Sequence, residues 1–127
     1  MMAVLVWLTA FGNAFAQTSG KTDYMVDCAR CHGVDGKGSV AEMREVKGYV
    51  SVDLTQLGKA NGGLFPHQEV YDAIDGRKRF PAHFVGDMPT WGLKYQRPDR
   101  ELPTGTKQEV TRRISALVNY IESIQQK

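Results

Sequence analysis

The two cysteines of this 127-residue chain stand three positions apart, and a histidine follows the second: Cys28-Ala29-Arg30-Cys31-His32. Two thiols and an imidazole at this spacing suit one chemistry in particular. Thiols three apart near a helix end can add to the vinyl groups on adjacent pyrrole rings of a haem. The histidine directly after the second thiol then lies under the iron and can ligate it. Competing uses of the same residues need company that the sequence lacks. A thioredoxin-like pair needs a βαβ setting, and no segment alternates for long enough to form a strand. Zinc takes four ligands, and no fourth partner stands at motif spacing. The motif therefore predicts a covalently held haem c, with Cys28 and Cys31 as its attachment points and His32 as one axial ligand.

Six-coordinate iron needs a second axial ligand, for which Met25, Met43, Met88, His67 and His83 are the candidates. Met25 shares the short helix of the cysteines and reaches the far face of a haem poorly. Met43 sits in a stretch without clear period, and His67 stands near a helix start, where an exposed histidine is the ordinary outcome. Met88 follows Gly86-Asp87 and precedes Pro89, in a long segment able to wrap a large flat cofactor. Its neutral, soft thioether favours ferrous iron and raises the potential relative to two histidines. Filling a core gap is the competing role for Met88, and His83 is the second choice of ligand.

The elements that must position these residues read as helices. The first covers Lys21 to Cys28, capped by Thr22 or Ser19, and the segment ends at Gly33 before the turn-rich Asp35-Gly36-Lys37-Gly38. Asp53 reads as the cap of a short helix through Leu54 and Leu57 that closes at Asn61-Gly62-Gly63. Pro66 opens another helix, with Val70, Ala73 and Ile74 on one face and Gly76 as its stop. Residues 77–105, with four prolines, read as irregular. The last helix is the clearest. Thr106 and Glu109 form a capping-box pair, and Val110, Ile114, Leu117, Val118, Ile121 and Ile124 build one apolar stripe. Arg112, Arg113, Asn119, Glu122 and Gln126 occupy its other side. Leu54, Leu57, Val70, Ile74 and Leu117 are expected to line the haem pocket or the core.

Composition bounds the rest. Sixteen Lys and Arg against fourteen Asp and Glu give a net charge of +2, with 42% hydrophobic residues. That balance fits one folded domain and argues against a nucleic-acid binder, which lives by neutralising phosphates. Residues 1–16 carry no charged side chain, include the apolar run from Ala3 to Leu8, and end in Ala14-Phe15-Ala16, a small-x-small cleavage pattern. They read as a signal peptide that leaves residues 17–127 as the mature domain, although the chain opens Met-Met without the usual Lys or Arg. An uncleaved anchor or a buried helix is the alternative for this segment. Export places the protein in the periplasm or its equivalent, an oxidising space.

With these stretches in view, the chain resembles the class I c-type cytochromes, small bacterial proteins with one haem. The resemblance rests on Asp27-Cys28-Ala29-Arg30-Cys31-His32-Gly33, Asp35-Gly36-Lys37-Gly38, Asp53-Leu54-Thr55, Asn61-Gly62-Gly63 and Ile74-Asp75-Gly76-Arg77. It extends through Asp87-Met88-Pro89-Thr90-Trp91-Gly92 and Arg113 to Ile121. It implies an all-α, cytochrome c-like fold of short helices wrapped around one covalent haem, with the N- and C-terminal helices crossing. It implies that Met88, the methionine before a proline ahead of the last helix, is the distal ligand opposite His32. A departure is that no proline follows His32 before Pro66, so another carbonyl in the segment after Gly38 must take the imidazole N–H. Arg77, Trp91 and Tyr49 are candidate partners for the haem propionates. Lys37, Lys59, Lys94 and Arg97 are candidates for a basic ring that steers docking.

The implied function is one-electron transfer between redox partner proteins, without enzymatic activity of its own. A haem c subunit of a periplasmic oxidase or dehydrogenase complex is the second reading, and a ligand-binding or peroxidatic haem protein the third. Membrane contact is expected only through redox complexes or an uncleaved N-terminal segment.

Overall fold

The structure is a computed structural model that describes residues 20–38, 52–77, 88–96 and 106–127. Among the described residues it is helical throughout, with no strand. Residues 20–27 form α1, and Ala29–His32 form α2. A 3-10 turn, Leu54–Gln56, leads into α3, Leu57–Ala60. His67–Asp75 form α4, Trp91–Lys94 form α5 and Lys107–Ser123 form α6.

Helix α1 and α2 are almost one helix. The Cys28 N–H donates to the Tyr24 carbonyl at 2.9 Å, and the Cys28 carbonyl accepts from Cys31 at 3.0 Å and His32 at 2.9 Å. Thr22 lies inside the helical run and is therefore not its cap. The run ends where predicted, at Gly33, whose φ of 79° suits glycine.

The expected crossing of the first and last helices is present and is close. A Cβ on Gly20 would collide with the Ala116 carbonyl, so only glycine lets α1 approach the α6 backbone there. Tyr24 and Tyr120 pack beyond that point, with ring centroids 5.1 Å apart. The predicted stripe of α6 supplies the centre of the core: Val110, Ile114, Leu117, Val118 and Ile121 are all buried.

Three details of α6 and its neighbours depart from the sequence reading. Only half of the capping box forms: the Thr106 hydroxyl accepts from the Glu109 N–H at 3.1 Å, but the Glu109 carboxylate turns to Arg112. Arg113, expected on the polar side, is 7% exposed. It turns inward because two carboxylates of α1 face it, Asp23 at 2.7 Å and Asp27 at 3.7 Å. The third departure is α5, a helix inside the stretch read as irregular. Its Trp91 and the following Tyr95, both buried and four apart, stack at 5.5 Å.

Helix α4 ends as predicted, on Gly76 in the left-handed conformation, whose N–H returns to the Asp72 carbonyl at 2.9 Å. Asp53 caps the 3-10 turn through the Thr55 N–H at 2.9 Å. The chain's last residues bind that turn to α6: Gln125 accepts from the Gly58 N–H at 2.9 Å and donates to the Leu54 carbonyl at 2.6 Å.

Candidate functional site

A cavity of about 330 Å³ opens where these short elements meet. Helix α2 and the residue before it contribute His32 and Cys28; the 3-10 turn and α3 contribute Leu54 and Leu57. Val70 and Ile74 of α4 and Ile121 of α6 add further apolar wall, and Met88 completes it from the segment ahead of α5. Asn61 and Glu69 are the polar exceptions among the described walls. A space of this size and lining suits a mostly apolar small molecule with a few fixed polar contacts. A thioether, an imidazole and a thiol on otherwise aliphatic walls are the donor set that an iron porphyrin takes.

The loop after His32 is held from three directions. The Tyr24 hydroxyl donates to the Gly33 carbonyl at 2.7 Å, and the Gly38 N–H donates to the His32 carbonyl at 2.9 Å. The Leu54 N–H then donates to the Gly36 carbonyl at 2.8 Å, which joins the histidine's loop to the opposite wall. Gly36 is also a close approach, since a Cβ there would stand 2.8 Å from the Ile124 Cδ1.

Cys28 is 6% exposed. Burial, then the nearby charges of Asp27 and Asp23 and the Cys31 sulfur, push its thiol up to about 12. A redox-active dithiol of the thioredoxin kind needs the opposite shift, since the thiolate is its nucleophile. No disulfide joins Cys28 and Cys31. Among the described residues no group of three or more His, Cys, Asp or Glu side chains is placed to hold a metal ion by itself. The electrostatics thus disfavour the dithiol reading, and the geometry offers no cluster for the zinc reading.

Of the four predicted site residues, the cavity brings together Cys28, His32 and Met88. Cys31 is half-buried one helical turn from Cys28 and is not among the cavity walls. Of the competing ligands, Met25 is 39% exposed on α1, away from the cavity. His67 turns to the surface, with Nε2 2.9 Å from a Glu122 carboxylate oxygen and Nδ1 3.1 Å from the Phe65 carbonyl. Met43 and His83 lie outside the described residues, as do Tyr49, Arg97 and the segment expected to supply a carbonyl to His32.

The supporting roles divide. Leu54, Leu57, Val70 and Ile74 line the cavity as expected, whereas Leu117 is fully buried in the core beside it. Trp91 is a core residue and not a wall of the cavity. The Arg77 guanidinium is engaged by Asp75 at 2.7 Å, which together with its hydrogen bond raises the arginine above its ordinary value. Lys37, Lys59 and Lys94 are exposed, and Lys94 lies over the Trp91 ring at 4.8 Å. The residues missed from sequence are Gln125 and the polar set Asp27, Tyr95 and Arg113. Their partners are remote in the chain, and no local signal marks them.

Among the described residues no helix is long and apolar enough to cross a membrane. Compared with known proteins, the chain matches the family model described as Cytochrome c over residues 17–125. No curated protein and no solved structure matches it.

Proposed function

The chain belongs to the cytochrome c family, whose members carry covalent haem for electron transfer, and from that premise we propose that it is a one-electron carrier with a single haem c ligated by His32 and Met88. Bound in this cavity, the haem supplies a one-electron iron couple. Cys28 and Cys31 would hold it as thioethers. His32, fixed by the hydrogen-bonded turn that follows α2, would offer its imidazole to the iron, and Met88 its thioether. With both donors engaged, the iron would pass electrons without taking substrate or oxygen. Leu54, Leu57, Val70 and Ile74 exclude water and lower the local dielectric, which disfavours the more highly charged ferric state.

The observation that carries this reading is the placement of Cys28, His32 and Met88 on the walls of one apolar cavity. The family match begins at residue 17, directly after Ala16. Residues 1–16 lie outside the match, and we propose that they are a cleaved export signal, on the Ala14-Phe15-Ala16 pattern, and that the protein works in the periplasm. Redox proteins of unassigned identity are its donor and acceptor.

Met88→Ala tests the ligand set. The variant should keep its haem through a pyridine haemochrome assay. It should lose the far-red charge-transfer band of thioether-ligated ferric haem, show a lower midpoint potential and bind carbon monoxide when reduced. An unchanged spectrum would remove Met88 from the iron.

A further inference from the structure

We infer that Tyr95, held by Asp27 and Arg113, is the positioning residue that keeps Met88 on the iron. This rests on the His32/Met88 reading above and adds a residue to it. Met88 stands three residues ahead of α5, so the placement of that four-residue helix decides where the thioether sits. A helix this short does not persist by itself. Two contacts fix it. At one end Gly92 packs so tightly on Asp75 and Arg77 that a Cβ would collide with the Asp75 carboxylate. At the other, the Tyr95 hydroxyl donates to Asp27 Oδ2 at 3.0 Å, and the Arg113 guanidinium covers the Tyr95 ring at 3.8 Å.

The second contact has the marks of a latch. Tyr95 is 5% exposed, and the Asp27 side chain 2%. Arg113 binds Asp23 through two hydrogen bonds, of 3.1 and 2.7 Å, and reaches Asp27 as well. Apolar side chains of similar size would join α1, α5 and α6 with at least equal stability, because buried ions give back most of their attraction as desolvation cost. What the polar set adds is one defined position for the tyrosine. Asp27 directly precedes Cys28, so the latch ties the methionine's segment to the residue next to the haem attachment.

In this latch, release of Met88 from the iron goes with movement of residues 88–95, so an external ligand binds in proportion to that opening. Tyr95→Phe removes the hydroxyl and leaves the ring. In the holoprotein it should weaken the far-red band and tighten apparent imidazole binding to ferric protein by about tenfold, the lower end for a lost hydrogen bond to a charged group. Val118→Ala, a cavity in α6 more than one turn beyond Arg113 and off the haem cavity's walls, should lower the urea midpoint without changing imidazole affinity. Imidazole affinity and band within twofold of the parent in Tyr95→Phe would overturn the latch. So would an equal gain of affinity in Val118→Ala.

A measurement on the parent needs no variant. Saturating imidazole should accelerate amide exchange across residues 91–96 by at least about tenfold, because a parent that can gain tenfold in affinity is open less than about a tenth of the time. Residues 114–121 should be unaffected. No acceleration at 91–96 would overturn the latch. A far-red band that survives Met88→Ala overturns the ligand assignment, whereas a band lost there but untouched in Tyr95→Phe overturns the latch alone.

Discussion

Replacing both cysteines by alanine should leave a chain that cannot complete its fold, because the space at its centre is too large to stand without the cofactor. Enclosed core cavities cost about 24 cal/mol per Å³, so about 8 kcal/mol is the upper bound for 330 Å³, and a site open on one side costs about half of that in lost packing. A domain of this size has a net stability of about 5–15 kcal/mol in total. Partial collapse of the walls lowers the penalty, but those walls come from α2, α3, α4 and α6 together, so collapse draws all of them out of register. Alanine is preferred to serine because a hydroxyl buried at position 28 adds a cost of its own. The assay is urea unfolding followed by far-ultraviolet circular dichroism on three samples: matured parent, matured Cys28→Ala/Cys31→Ala, and parent produced without haem attachment. The parent should unfold cooperatively. The other two should show reduced helicity and no sharp transition, and should resemble each other. A haem-free double variant with a cooperative midpoint near that of the matured parent would refute the reasoning, since the cavity would then be dispensable to the core.

Two further outcomes follow from charges that the structure places. Arg113→Ala leaves Asp23 and Asp27 without their cation and should cost about 3–5 kcal/mol in urea unfolding of the holoprotein; a loss below about 1 kcal/mol would show that the pair is solvated. Glu109, hydrogen-bonded by Arg112, is held below the usual carboxylate value. Its contribution is therefore present above the unfolded carboxylate range and is lost as pH falls through the folded value, and Glu109→Gln should remove that part of the acid dependence. Both side chains are largely at the surface, so the effect is a few tenths of a kcal/mol. An equal acid slope in parent and variant would dismiss it.

What could be read from the sequence was local. Cys28, Cys31 and His32 fall within a little over one helical turn, so their spacing alone states their chemistry. The α6 stripe, the caps at Asp53 and Thr106 and the stop at Gly76 are likewise written in neighbouring residues. Arg113 was misplaced because helical period assigns a face by sequence neighbours, whereas its partner Asp23 lies 90 positions away. Helix α5 gave no period because four residues cannot show one, and it exists through what Trp91 and Tyr95 pack against. The Glu109 half of the capping box failed because Arg112, three residues on, offers its carboxylate a charged partner.

The same division explains how the site is built. The attachment motif belongs to one short helix and could be lifted out as a peptide, but the methionine that faces the same cavity belongs to a segment with almost no intrinsic structure. Aliphatic walls can hold such a segment near the cavity without fixing its register, because apolar contacts are not directional. Hydrogen bonds are directional. The Tyr95 hydroxyl on Asp27 therefore does what Leu54, Val70 and Ile74 cannot. In the latch inferred above it converts a segment that is merely nearby into one whose sulfur occupies a single position, and it does so from α1, the helix that directly precedes Cys28 in sequence.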